Sequence, residues 1–194
     1  MTLNEILKIK VKEWRDNGYQ CEFPVIKEIF EYNFLDNQVL RYLRKAQFEA
    51  LETYWYLRLT EKDLKKLLFS NGGGLETIFK KIKEDNDFVK KYHLEGLRES
   101  LFLDYPSYIL ALAMGAGKTV LIGSIIATEF AMALEYSDGP FVKNALVFAP
   151  GKTILGALKE LSDIPYEKIL PPRLYKQFID NLKITYTRDG EKDI

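Results

Sequence analysis

A glycine-containing turn between two segments of opposite texture leaves this chain few ways to fold. Ser107 to Ala113 forms an apolar run without alternation. From Lys118 onward Leu121, Ile122, Ile125, Ile126, Phe130 and Leu134 recur at helical spacing, and Met114-Gly115-Ala116-Gly117-Lys118-Thr119 joins the two. A short apolar run of this kind predicts a strand buried on both faces of a parallel sheet. The spacing predicts a helix from Lys118 to about Glu135, stopped by Ser137-Asp138-Gly139-Pro140, and Asn144 to Ala149 reads as a second buried strand. Strand, helix and strand in this order predict a right-handed βαβ unit. Beyond Pro150 the pattern predicts a helix over Thr153 to Leu161, a proline-broken loop over Ile164 to Pro172, a helix over Arg173 to Leu182 and a third strand from Lys183 to Thr187.

The turn carries the chemistry. Backbone N–H groups in such a turn converge on a phosphate, because Gly115 and Gly117 tolerate the tight path and put no side chain in the way. The start of the following helix adds its positive dipole end. Lys118 is the expected bridge between β- and γ-phosphates and the catalytic residue of the set, and the Thr119 hydroxyl is the expected Mg²⁺ ligand. The usual spelling, GxxxxGK(S/T), has glycine where Leu112 stands, so the strict pattern fails at that position.

Charge and cysteine usage narrow the alternatives. The 194 residues hold 28 Lys and Arg against 28 Asp and Glu, so no global attraction to a polyanion exists and any nucleic-acid contact must be a local patch. Cys21 and His93 are each the only residue of their type, which removes an internal disulfide and a Cys/His zinc site; both read as structural. Charges run through the first residues, MTLNEILKIKVKEW, where a signal peptide would need an apolar core. Lys118 and Glu129 interrupt the most apolar stretch, where a membrane span would need roughly 20 apolar residues. A cytoplasmic protein without a membrane is the expectation.

Residues 1–104 read as a mainly helical region. Leu7, Val11 and Trp14 predict a helix from Thr2 to about Asp16, although Leu7, Ile9 and Val11 also alternate as a strand would; Pro24 suits the first position of a helix through VIKEIFEY. A longer helix is predicted from about Asn37 to Leu59, carrying Leu40, Leu43, Gln47, Leu51 and Tyr54 on one stripe, with a short one over Asp63 to Phe69. Gly72-Gly73-Gly74 reads as a helix stop and turn, and Leu75 to Leu103 as charged amphipathic helices with Lys80-Lys81 and Lys90-Lys91 on a solvated face.

The run Ala111 to Thr119 resembles motif I of superfamily 2 helicases, closest to the restriction subunits of type III restriction-modification systems and their DEAD/DEAH-box relatives. Two further segments are similar. Ala145-Leu-Val-Phe-Ala-Pro150, with Gly151, Lys152 and Thr153, resembles motif Ia, and Leu43-Arg44-Lys-Ala-Gln47-Phe-Glu-Ala-Leu51 resembles the Q-motif. The resemblance implies a partial RecA-like P-loop domain of the α/β class, with parallel strands, over residues 105–194. It further implies ATP and Mg²⁺ as cofactors, with ATP held by Arg44, Gln47, Met114, Gly115, Ala116, Gly117, Lys118 and Thr119. DNA is the implied partner, through Pro150, Gly151, Lys152 and Thr153, together with a DNA-methyltransferase (modification) subunit.

Each residue also has a plainer reading. Gln47 by itself is a helical side chain facing solvent; as an adenine reader its carboxamide would accept from N6 and donate to N7. Arg44 stands between a nucleotide contact and a surface ion pair, and Pro150 and Lys152 between a DNA-backbone contact and a strand end with a surface charge. The stretch from Gln47 to the turn is longer than such helicases have and reads as an insertion. After Thr119 no acidic pair follows an apolar strand, so the chain is expected to be the ATP-binding N-terminal part of a larger translocase or restriction enzyme, inactive alone. Another superfamily 2 helicase, or a non-catalytic nucleotide- or protein-binding module, is the alternative.

Overall fold

A computed structural model describes residues 3–70, 80–101, 107–148 and 159–185. The chain divides into two compact units, one of Met1–Thr53 with Leu112–Ile194 and one of Tyr54–Ala111.

In the first unit, α1 (Leu3–Asp16) buries Val11 and Trp14, as its helical spacing predicts. It ends where Gly18 adopts φ +69°: Gly18 N–H donates to the Arg15 carbonyl at 2.8 Å and Tyr19 N–H to the Trp14 carbonyl at 2.9 Å. That pair of bonds satisfies the last carbonyls of the helix and seats the Tyr19 ring edge-on against Trp14, 5.0 Å between centroids. Helix α2 (Val25–Tyr32) follows Pro24 and buries Val25, Ile26, Ile29 and Phe30. Phe30 joins Trp14, Tyr19 and Phe48 in an aromatic cluster, so α1, α2 and the start of α3 (Lys45–Ser70) share one apolar centre.

Helix α4 is Asn86–Lys91 and α5 is Glu95–Leu101, both in the second unit; α6 (Lys118–Glu135) and α7 (Pro172–Asn181) return to the first. The small residues of α6 do its packing. Gly123, Ala127, Ala131 and Ala133 are buried with Leu121 and Met132, whereas Ile122 and Leu134 are exposed. Gly123 lies so close to Ile164 and Tyr166 that a Cβ there would collide with Ile164 and sit 3.1 Å from the Tyr166 hydroxyl. The buried Ser124 and Thr128 hydroxyls donate to carbonyls one turn back, of Val120 at 2.7 Å and Ser124 at 2.8 Å. From α7, Arg173 grips Glu28 of α2 at 2.7 Å and Glu135 of α6 at 2.6 Å. Asn33, at the end of α2, donates to the Ile169 carbonyl at 2.9 Å. The two distant stretches of the unit are thereby sewn together.

The second unit starts within α3 at Tyr54, whose ring meets Tyr108 at 5.4 Å. Asp85 caps α4 by accepting from Phe88 N–H at 2.9 Å, and Arg98 of α5 donates to Asn86 and to the Lys83 carbonyl, each at 2.6 Å.

The described residues do not form the expected sheet. Among the described residues the architecture is helical, and the one β pairing is an isolated antiparallel bridge between Phe34 and Leu40. The parallel strands and RecA-like α/β domain expected over 105–194 are corrected on this finding. Ser107 to Ala113 and residues 144–148 lie outside any helix and form no β-ladder among the described residues, and Ile109 is 94%, Leu146 80% and Phe148 82% exposed. An apolar run states a demand for burial, but a strand also needs a lateral partner for its N–H and C=O groups, and no pattern within one segment supplies it. Residues 183–185 likewise join no β-ladder among the described residues, and the rest of the third expected strand lies outside them. The helix expected over Thr153 to Leu161 falls partly outside them too; its described end belongs to a 3₁₀ turn, Lys159–Asp163, with a second at Tyr166–Lys168 inside the expected loop.

Candidate functional site

The turn before α6 forms as its glycines allow. Gly115 and Gly117 have φ of +74° and +78°, left-handed values that favour glycine. Gly117 is the N-cap of α6, and no side chain caps this helix start. Its carbonyl accepts from Leu121 N–H at 3.2 Å, the first bond of the helix. The Ala113 carbonyl receives two donors, Ala116 N–H at 3.2 Å and the Lys118 ammonium at 3.1 Å. A backbone N–H of the turn and its only cation thus converge on one oxygen, the kind of acceptor an anionic ligand would offer.

The start of α3 supplies the second half. Arg44 immediately precedes it, and its backbone carbonyl accepts from Phe48 N–H at 3.0 Å, as an N-cap residue does. The Gln47 Oε1 accepts from Arg44 N–H at 2.8 Å, which is one side of a capping box. Both side chains then cross to the turn: the Arg44 guanidinium donates to the Gly115 carbonyl at 2.9 Å, and the Gln47 Nε2 to the Gly117 carbonyl at 3.0 Å. Gln47 is 3% exposed, so the reading of it as a solvent-facing side chain does not hold. A Cβ at position 117 would strike its carboxamide, so glycine there serves a close approach as well as a backbone angle.

The structure therefore brings Arg44, Gln47, Gly115, Ala116, Gly117 and Lys118 together, with Thr119 half-buried beside them. Met114 is 98% exposed. The motif Ia-like residues Pro150, Gly151, Lys152 and Thr153 lie outside the described residues. Sequence reasoning missed the Ala113 carbonyl, a backbone atom with no signature, and it missed Glu129. That buried carboxylate lies on α6 and accepts from Val142 N–H at 3.0 Å, pinning the segment after the helix.

Phosphates suit this site: one ammonium, left-handed glycines and an uncapped helix start. Mg²⁺ has less to hold it. No group of three His, Cys, Asp or Glu side chains among the described residues is arranged for a metal, so Thr119 would contribute one hydroxyl and phosphate oxygens with water the remainder. No family model, curated protein or solved structure matches the chain.

Proposed function

We propose that this chain binds ATP at the Met114 to Thr119 turn and serves as the ATP-binding segment of a DNA translocase, most similar to the restriction subunit of a type III restriction-modification system. One observation carries the reading: the two Q-motif-like residues, Arg44 and Gln47, are hydrogen-bonded to the carbonyls of the two glycines of the motif I-like turn, 71 and 70 residues away in sequence. Two segments singled out separately, for base and for phosphate recognition, have no reason to meet if both are chance patterns. The proposal rests on this site and its residues, and the RecA-like sheet forms no part of it.

The chain's own groups divide the work. Lys118 would leave the Ala113 carbonyl for the β- and γ-phosphates, an exchange of one acceptor oxygen for a charged one, and Ala116 N–H would make the same exchange. Bound Mg²⁺ would supply charge neutralisation at the phosphates, with Thr119 as its protein ligand. DNA, a methyltransferase subunit and a cytoplasmic location belong to the same proposal. Among the described residues no helix is long and apolar enough to cross a membrane.

The test is calorimetric titration of the chain with ATP and with inorganic tripolyphosphate. Lys118→Ala is expected to weaken both by roughly tenfold or more while the circular dichroism spectrum stays unchanged. Equal affinities for wild type and variant would overturn the proposal.

A further inference from the structure

We infer that Arg44 is a positioning residue, one that sets the orientation of the phosphate turn through the Gly115 carbonyl instead of touching the nucleotide; this rests on the nucleotide-binding reading above. A trans peptide unit is planar, so the C=O of Gly115 and the N–H of Ala116 point in opposite directions. Wherever the carbonyl is held, the N–H is aimed the other way. The guanidinium holds that carbonyl at 2.9 Å, and the Ala116 N–H is found on the far side of the unit, directed at the Ala113 carbonyl together with the Lys118 ammonium.

The same logic applies one unit later. Gln47 holds the Gly117 carbonyl at 3.0 Å, which aims the N–H of Lys118 away from α3. Carbonyl oxygens turned toward an anion would repel it, and a glycine-containing turn is free to flip these planes. The brace from α3 removes that freedom before any ligand arrives. Arg44 is suited to it because its own backbone is fixed as the N-cap of α3, accepting from Phe48 N–H and donating to Gln47 Oε1. Its planar fork loses little further freedom in making the bond.

The experiment uses the full 194-residue chain with inorganic tripolyphosphate as the probe, in wild type, Arg44→Ala and Arg44→Lys. Arg44→Ala is expected to bind about tenfold more weakly and Arg44→Lys, which keeps one donor, to recover part of the loss. In ligand-free protein, the amide resonances of Ala116 and Lys118 are expected to move in Arg44→Ala and to return toward wild type in Arg44→Lys. Wild-type affinity in Arg44→Ala overturns the inference and leaves the nucleotide-binding reading standing. Weakened binding with unmoved ligand-free resonances overturns it as well, since Arg44 then acts on the phosphate itself. If wild type does not bind tripolyphosphate, the nucleotide-binding reading falls and the inference falls with it. Should Arg44→Ala fail to fold, the same resonances and titration in Arg44→Lys decide, with wild-type values in both overturning the inference.

Discussion

The proposed function gives Gln47 a second task beside bracing the turn, and its hydrogen-bond capacity leaves room for both. Its Oε1 accepts from Arg44 N–H and its Nε2 donates to the Gly117 carbonyl, which leaves one acceptor site and one N–H on the carboxamide. Adenine asks for one of each. Gln47→Ala is therefore expected to lower stability by about 1–2 kcal/mol through the lost cap and brace. It should erode the preference for ATP over GTP and weaken tripolyphosphate binding too; calorimetry that finds the second unchanged would show the brace to be idle. Gly117→Ala carries two penalties, a left-handed φ worth about 1–2 kcal/mol and the collision with Gln47. Only the collision disappears in a Gln47→Ala background. The double variant should be more stable than the sum of the single losses, a coupling that urea denaturation of all four proteins measures.

Among the elements, α1 and α3 are locked through one buried carboxylate. Glu52 is fully buried, and both its oxygens are bonded to Arg15 of α1, one of them also accepting from the Tyr19 hydroxyl at 2.7 Å. Removing the cation strands the carboxylate, so Arg15→Ala should cost about 2–3 kcal/mol, read as a lowered denaturation midpoint. Burial first, and then the Glu52 charge, push the Tyr19 hydroxyl above its ordinary value. A group raised in the folded state favours folding below its unfolded value, about 10 for tyrosine, and loses that contribution as pH rises beyond it. Stability should thus fall above about pH 10, and fall less in Tyr19→Phe. The ends of these helices were partly legible. Helix α1 ends at Asp16 and the later helix spans Lys118 to Glu135, both as expected, because caps and breakers act over a few residues. Helix α3 starts at Lys45, not near Asn37, and continues to Ser70 through the expected break before Asp63. No glycine or proline lies between Lys45 and Ser70 to enforce a break. On α6 the large residues suggested the buried face, yet the small ones permit the closer approach to Ile164 and Tyr166. The site was legible in its members and illegible in their contacts: a Gln and a turn 70 residues apart reveal their chemistry but not their meeting.

At the scale of the whole chain, binding and turnover separate. Phosphoryl transfer needs phosphates held in place, a carboxylate to help hold Mg²⁺ and orient water, and charge to stabilise the transition state. On the proposed function, the turn with Lys118 would answer only the first. Among the acidic residues after it, Glu129 is buried and bonded to Val142 N–H, Asp163 ends a 3₁₀ turn and Asp180 lies on α7; none joins a group of potential metal ligands among the described residues. Among the described residues the apolar segments form no sheet, and the sequence after Thr119 sets no acidic pair behind an apolar segment. The 194-residue chain is therefore expected to bind ATP and release no phosphate above background, with or without duplex DNA. A phosphate-release assay beside the calorimetry checks this, using Lys118→Ala as the control. DNA-stimulated release that vanishes in the variant would show that these residues already hold a complete hydrolytic machine, and that an acidic group and a transition-state cation reach the turn by a rearrangement of the chain.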